Sequence, residues 1–369
     1  MTQLRTVQVL GGGSAGSSAH VRSLASGLVA RGVRVTVCGP AALERDYDFP
    51  GAGARFAPVP RRSDPVAMGA LRAAFLGADL VHAHGLNAAL RAVVALSGLR
   101  VPLVVTWHTR SHAEGTRRHV VRMLERRVAR AAAVVLGTCS ELVDRARRRG
   151  ARDARLAPLA APVSPRRADY ADGMEGDLAA DKAKAELGVV DRPLVMTIGS
   201  LVPHRGYGTL LDAAGRWRDL GLDPMPLVLI AGEGRERVEL QRRIDAEGLP
   251  VRLLGRRDDI ADLLVAADVA VLPSRWEARS LFAQEALRLG VPLVATAVGG
   301  VPELVGAAAE LVPYADADAL ADAVTGLLDD GARRAELARA GRAQAATWQT
   351  EDEMVAQVLS LYDELAPTL

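Results

Sequence analysis

Lysine is almost missing from this chain: of 46 basic residues only Lys182 and Lys184 are lysine, so an arginine stands wherever either cation would serve. Cysteine is scarce too. Cys38 and Cys139 lie in apolar, strand-like contexts without metal-ligand spacing, which predicts buried thiols and argues against a disulfide scaffold, a cysteine metal centre or redox chemistry. Aromatic residues make up 4% of the chain and do not interleave with basic clusters, so nucleic acid is not an expected partner. No apolar run approaches the ~18 residues of a membrane span, and residues 1–9 lack the basic-then-apolar layout of a signal peptide. A cytoplasmic protein is expected.

What is present is enough chain for two domains, 369 residues, and a charge that divides between them. Up to Pro165 there are 24 arginines, no lysine and 10 acidic residues, a balance of +14; the remainder holds 22 basic and 34 acidic residues, a balance of −12, and the whole chain nets +2. Short β-branched runs at 6–10, 34–37, 80–83, 103–106 and 133–136 alternate with amphipathic stretches, which predicts a doubly wound parallel sheet. The alternation dissolves into Pro, Gly and charge, then restarts with strands expected at 194–198, 227–230, 251–254, 269–272 and 293–295. The expected organisation is a first α/β domain over 1–165, a linker over 166–190, a second α/β domain over 191–345 and a terminal segment over 346–369. Met354, Val355, Val358, Leu359 and Leu361 give that segment one apolar face. Ligands of open α/β sheets bind beyond the carboxyl ends of the strands, so a cleft between the domains is the expected site.

Residues 7–20 read V-Q-V-L-G-G-G-S-A-G-S-S-A-H, where Gly11, Gly13 and Gly16 fit G-x-G-x-x-G between a strand and a helix. A dinucleotide site also needs an acidic residue ending the next strand, and here Val35-Thr36-Val37 runs into Cys38-Gly39-Pro40. A P-loop fails sooner, because no Gly-Lys-Ser/Thr follows. Two readings remain: a loop whose backbone approaches an anionic ligand at a helix N-terminus, and a tight turn with no ligand.

Residues 271–305 carry more. In V-L-P-S-R-W-E-A-R-S-L-F-A-Q-E-A-L-R-L-G-V-P, Glu277 precedes a helix expected to start near Arg279, and Glu285 lies inside it. Such a helix start offers the N–H groups of Ser280, Leu281 and Phe282 to a phosphate, while the flanking carboxylates accept hydrogen bonds from sugar hydroxyls, Glu277 from a hexose and Glu285 from a ribose.

This segment resembles the retaining glycosyltransferases of family 4, with their two-domain GT-B fold and the pattern E-P-F-G-L-x-x-x-E-A, G-x-P-V-V-A, V-G-G-x-x-E. Glu277, Leu281, Glu285, Ala286, Gly290, Pro292, Val294, Ala295, Gly299, Gly300 and Glu303 match in place. The resemblance extends over essentially the whole chain. Residues 195–206, V-M-T-I-G-S-L-V-P-H-R-G, look like the family's G-R-L-x-x-x-K-G loop, with Ser200 in place of Arg and Arg205 in place of Lys. Arg256 and Arg257 follow a strand like the one whose loop cradles the nucleobase. Gly16 and His20 fit the helix start G-G-x-E-x-H, His108 falls where the family keeps a cleft histidine, and Trp348 with the terminal helix fits a segment crossing back to the first domain. Ala15 and Ser18 depart from the first-loop pattern, Ala278, Arg279 and Ser280 replace Pro, Phe and Gly, and P-N-G-V-D is absent near the domain joint.

The resemblance implies two Rossmann-like domains facing across a cleft, and transfer of a sugar from a UDP- or GDP-sugar to an acceptor hydroxyl with retention and without a metal or other cofactor. Glu277, Arg205 and His108 are the implied catalytic residues. Gly13, Gly16, Ser200, Arg256, Ser280, Leu281, Phe282 and Glu285 are the implied donor-binding ones, and His20 and His84 the acceptor-side candidates. The departures at Ser200 and 278–280 support an alternative, a catalytically weak nucleotide-sugar-binding or regulatory protein on the same fold.

Other features have plainer readings. Asp316, of the D-x-D lookalike Asp316/Asp318, is expected to cap a helix, and Asp46/Asp48 to lie in a polar loop, so neither pair is expected to hold a metal. His82 and His84 alternate in L-V-H-A-H-G and are expected on opposite sides of a strand. The helix from Arg117 through Arg130 is expected to put Val120, Met123, Leu124 and Val128 on one face and six arginines around the other. That is the layout of a solvated surface helix or of one that meets an anionic, lipid-linked acceptor at the inner membrane face.

Overall fold

The computed structural model describes residues 3–12, 15–61, 64–111, 113–160, 181–189 and 191–366. The chain divides into two compact units, Met1–Pro162 with Gln349–Leu369, and Val163–Trp348.

In the first unit seven strands form one sheet in the order β3-β2-β1-β4-β5-β6-β7. They are β1 (Arg5–Leu10), β2 (Arg34–Gly39), β3 (Arg55–Pro58), β4 (Leu80–His84), β5 (Leu103–Trp107), β6 (Val134–Gly137) and β7 (Ala154–Leu156). All neighbours run parallel, and β4 and β5 are buried at every position because helices cover both faces. The five β-branched runs of this half are all strands. The unforeseen β3 and β7 are the sheet's edges, where R-F-A-P and A-R-L stay partly exposed and need no continuous apolar run.

The second unit repeats the plan with six parallel strands in the order β10-β9-β8-β11-β12-β13. They are β8 (Leu194–Ile198), β9 (Leu227–Ala231), β10 (Val251–Gly255), β11 (Val269–Leu272), β12 (Leu293–Thr296) and β13 (Glu310–Val312). The unexpected strand is again an edge, β13. Asp316 caps the helix Ala317–Asp329 by accepting from the Ala319 N–H at 2.9 Å. Asp46, read as a loop residue, lies in the helix Ala42–Tyr47 because the polar run L-E-R-D-Y is long enough for a turn and a half.

The terminal helix Glu351–Leu365 belongs to the first unit. Thr350 and Glu353 close a capping box at its start, and Met354, Val355, Val358, Leu361 and Tyr362 enter the core built on the helix Ala15–Ala30. The two helices approach so closely that a Cβ on Gly27 would lie 2.5 Å from Val355 Cγ2. Ser23 hydrogen-bonds Glu351, and Arg31 pairs with Asp352 at 3.1 Å.

Three expectations change. Of the expected linker over 166–190, residues 166–180 and 190 lie outside the described residues, but 181–186 are helical and pack on the second unit. Ala183, Leu187 and Val189 join an apolar cluster there, and Lys184 Nζ reaches both carboxylate oxygens of Asp268 at 2.9 and 2.8 Å, so spacing of small apolar residues outweighs the polar composition. The basic helix, Gly115–Ala131, buries Val128 of the expected stripe and half-buries Leu124, but it adds Glu125 and Ala129 to the buried side in place of Val120 and Met123. Glu125 turns inward because Arg145 and Arg149 grip it at 2.8 Å each, which leaves Val120 52% and Met123 64% exposed among the arginines. His82 and His84 share one face, as the two-residue period of a strand requires of positions i and i+2; their ring centroids lie 4.2 Å apart with the planes tilted by 32°. Cys38 and Cys139 are buried thiols outside any disulfide, and burial pushes the Cys38 thiol up to about 12.

Candidate functional site

In the second unit, the loops after β8, β11 and β12 lock together through their backbones. Gly206, at φ 73°, ends the short 3-10 turn Pro203–Arg205, and a Cβ there would lie 1.9 Å from the Pro273 carbonyl oxygen. The Arg275 N–H donates to the His204 carbonyl at 2.9 Å. Gly299, at φ 57°, lies equally close to the Glu277 carbonyl, 2.0 Å from a would-be Cβ, and the Gly300 N–H donates to that carbonyl at 2.9 Å. These contacts admit only glycine at 206 and 299, and they hold Glu277 and Arg205 side by side.

The Glu277 carboxylate is ion-paired with the Arg205 guanidinium and accepts from the Ser274 hydroxyl at 3.0 Å. Burial raises its pKa, while Arg205 and Ser274 pull the other way. Arg205 Nε is buried with no hydrogen-bond partner among the described residues. The guanidinium therefore keeps donor capacity beside a carboxylate it already neutralises.

The helix that follows is Leu281–Leu289, two residues later than the expected start, because Ser280 caps it by accepting from the Ala283 N–H at 3.3 Å. Leu281 and Phe282 thus occupy the first two helical positions, whose N–H groups have no intrahelical acceptor. Glu285 lies one turn further in, its side chain 14% exposed and 3.9 Å from Arg288. Beside it Gln284 is fully buried with both amide atoms unpartnered among the described residues, a polar position the E-x7-E spacing does not flag. Ser200 is exposed after β8. Arg256 follows β10 with its side chain 84% exposed, 3.6 Å from Asp258, and Arg257 pairs with Asp259.

In the first unit Gly13 lies outside the described residues, and Gly16 and His20 fall in the first two turns of the helix Ala15–Ala30. His20, His84 and His108 come together. Ring centroids are 5.8 Å apart for His20 and His84 and 5.5 Å for both His20–His108 and His84–His108. Burial holds all of them neutral, with His20 lowered to about 4, His82 to about 3 by burial and by the nearby His20, and His84 and His108 also lowered. Gln8, Thr106 and Tyr362 complete the cluster and were not foreseen. A glutamine inside the apolar strand V-Q-V-L was the available signal, since a buried polar side chain needs partners.

Comparison with known proteins matches two family profiles: glycosyl transferases group 1 over residues 180–344, and a glycosyl transferase 4-like domain over residues 15–161. The alpha-D-kanosaminyltransferase of Streptomyces kanamyceticus is 32% identical over 279 residues, 70% of this chain and 70% of that protein. A GDP-mannose-dependent monoacylated alpha-(1-6)-phosphatidylinositol monomannoside mannosyltransferase of Corynebacterium glutamicum is 32% identical over 190 residues, 48% of this chain and 49% of that one. Among solved structures, Anabaena Alr3699/HepE in complex with UDP-glucose superposes with a TM-score of 0.81 at 20% identity, covering 97% of this chain and 100% of that one.

Two outcomes are expected. Replacing Arg205 by Met leaves Glu277 enclosed without its cation and destabilises the second unit by about 3 kcal/mol, the lower end of the cost of stripping one partner from a buried pair. Without Arg205 the pKa of the enclosed carboxyl rises further above that of the unfolded chain, so the loss should grow as pH is raised from about 5 to about 8, and Glu277→Gln in the same chain should restore stability; urea unfolding measures it, and a pH-independent loss refutes the pairing. The second outcome concerns the histidines, whose folded pKa values lie below the 6.5 of the unfolded chain. The unfolded state then binds more protons, so stability is complete above pH ~6.5 and falls as pH drops towards ~4, by up to about 1.4 kcal/mol per pH unit per histidine. A first-unit unfolding midpoint unchanged between about pH 7 and about pH 5 refutes the buried neutral state.

Proposed function

The chain belongs to the family of glycosyl transferases group 1, and on that premise we propose that it transfers a sugar from a UDP- or GDP-sugar to an acceptor hydroxyl, with retention and without a metal ion. The observation that carries this reading is the Arg205–Glu277 pair beside the start of the helix Leu281–Leu289. A diphosphate competes with Glu277 for the guanidinium and accepts from the Leu281 and Phe282 N–H groups, which frees the carboxylate for sugar hydroxyls. As the bond from anomeric carbon to phosphate oxygen breaks, its electron pair stays on the phosphate. Donors aimed there stabilise the transition state more than the ground state. The acceptor oxygen bonds to the same face of the sugar, and its proton passes to the departing phosphate. Glu285 binds the ribose, and His108 contacts the sugar or the acceptor hydroxyl from the first domain.

The base is left between uracil and guanine by two likenesses, one to a protein solved with UDP-glucose and one to a GDP-mannose-dependent enzyme. The latter relative's phosphatidylinositol mannoside acceptor, together with Val120 and Met123 exposed among the arginines of Gly115–Ala131, supports an anionic, lipid-linked acceptor met at a membrane surface. No helix among the described residues is long and apolar enough to cross a membrane. A second reading, a nucleotide-sugar-binding protein with little turnover, is favoured by one observation: Ser200 stands exposed where the family has a cation.

A thermal-shift panel of UDP-, GDP-, ADP- and dTDP-sugars should show stabilisation by the first or second, abolished in Glu285→Ala. Sugar release should persist in EDTA, give the donor's anomeric configuration by NMR, and fall about a hundredfold in Arg205→Ala, the loss typical of one transition-state donor. Binding without release across donors and acceptors would favour the second reading, and unchanged turnover in the Arg205 variant would refute the role of that residue. Separately, sedimentation with phosphatidylglycerol vesicles should fall when Arg117, Arg118, Arg122 and Arg126 become Gln. Equal sedimentation of both proteins excludes the membrane contact.

A further inference from the structure

Four buried side chains that the proposed transfer does not use, Gln8, His82, Thr106 and Tyr362, are joined with His84 and His108 in one continuous hydrogen-bonded chain in the first unit. Gln8 Nε2 donates to the Tyr362 hydroxyl at 2.9 Å, that hydroxyl meets His82 Nδ1 at 2.6 Å, and His82 Nε2 meets Thr106 Oγ1 at 2.6 Å. On its other side Gln8 Oε1 meets His84 Nε2 at 2.9 Å, and His84 Nδ1 meets His108 Nε2 at 3.2 Å. Gln8, His82 and Tyr362 are wholly buried, and Tyr362 comes from the terminal helix, 354 positions from Gln8.

The protons in this chain can be counted. Each imidazole is neutral and has a single N–H to place. An amide oxygen can only accept, so His84 carries its proton on Nε2 and presents Nδ1 as a lone pair. That lone pair accepts, so His108 carries its proton on Nε2 and its Nδ1 is bare. The Tyr362 hydroxyl, already accepting from Gln8, donates to His82 Nδ1, which sends the His82 proton towards Thr106. The orientation of one amide therefore sets three rings.

We propose that Gln8 and Tyr362 are positioning residues that hold His108 in its Nε2–H form, so that Nδ1 is kept as an acceptor for a substrate hydroxyl. The assignment to a substrate rests on the proposed sugar transfer; the tautomer does not. Nδ1 of His108 and Nδ1 of His20 are both buried without a hydrogen-bond partner among the described residues, in rings 5.5 Å apart. A buried polar atom left unpaired is costly, and a substrate hydroxyl donating to His108 Nδ1 would satisfy it.

Long-range proton–nitrogen NMR correlation on the full chain labelled with ¹⁵N-histidine reads the tautomers directly. His84 and His108 are expected as Nε2–H forms. Tyr362→Phe removes the acceptor of the Gln8 amide, and Gln8→Met removes the acceptor of His84 without touching the terminal helix. Both should show mixed tautomers at His108 while retaining a cooperative thermal transition. With a donor and acceptor identified, kcat should fall about fivefold, the factor of one net hydrogen bond, at unchanged donor KM. A proton on Nδ1 of His108 in the unaltered protein, or an unaltered His108 pattern in both variants, overturns the relay. Shifted tautomers with unchanged kcat leave the relay standing and overturn the substrate contact of His108.

Discussion

Parallel pairing is the constraint on which everything else depends. Two neighbouring parallel strands begin at the same edge of the sheet, so after each strand the chain must return over a face before it can pair again. Every pairing in both sheets is of this kind. The carboxyl ends of the strands consequently open into loops at one edge, and those loops run into helix N-termini. The candidate residues fall there: the glycines and His20 after β1, His84 at the end of β4, His108 after β5, Arg205 after β8, Glu277 after β11 and Gly299 after β12. The chemistry of each unit is gathered by topology before any side chain is chosen.

The two units then bury polarity in opposite ways. In the second, a carboxylate and a guanidinium are enclosed together, and the desolvation cost of each is offset by the other and by the Ser274 hydroxyl. In the first, the titratable groups are histidines that burial strips of charge, and hydrogen bonds of neutral groups satisfy most of their nitrogens. A site that keeps an exchangeable ion pair suits a ligand with its own charge, because the ligand replaces one partner without leaving the other bare. Neutral rings suit hydroxyls, which need direction more than field strength.

Much of this was legible in the residue pattern. Interior strands such as β4, β5 and β11 are buried on both faces, so they must be continuous apolar runs, and such runs are visible. Edge strands carry no such demand, and β3, β7 and β13 passed unnoticed. The Glu277 to Glu285 spacing was readable because a loop, a cap and one helical turn are local. The pairing of Glu277 with Arg205 was not, since it spans 72 positions and depends on Gly206 and Gly299 bringing loops together. His82 and His84 differ in kind: the two-residue period of a strand puts positions i and i+2 on one face, so their shared side is already contained in L-V-H-A-H-G. The burial of Glu125 in place of Val120 and Met123 reflects a tertiary contact, two arginines from the next helix, that amphipathic counting on one helix cannot contain.

The arginine excess has a structural consequence at the most informative departure from the family pattern. Arg279 stands where the family carries Phe, and its guanidinium carbon lies 5.5 Å from the centre of the Trp348 ring, as does that of Arg288. Trp348 is fixed in turn by donating to the Leu304 carbonyl at 3.2 Å, an oxygen that also accepts from Gln344 at 3.2 Å. A guanidinium over an indole contributes about 0.5–2 kcal/mol, comparable with an aromatic contact, so the loop entering Leu281–Leu289 keeps an anchor of similar strength. Ser280, standing where the family has Gly, adds a side-chain cap worth a few tenths of a kcal/mol over glycine. The replaced residues therefore supply the holding contacts by other chemistry, and the Leu281 and Phe282 N–H groups stay where an anion can reach them. Ser200 stands exposed in its own loop, so among the two positions where the family pattern carries a cation there, Arg205 alone keeps one.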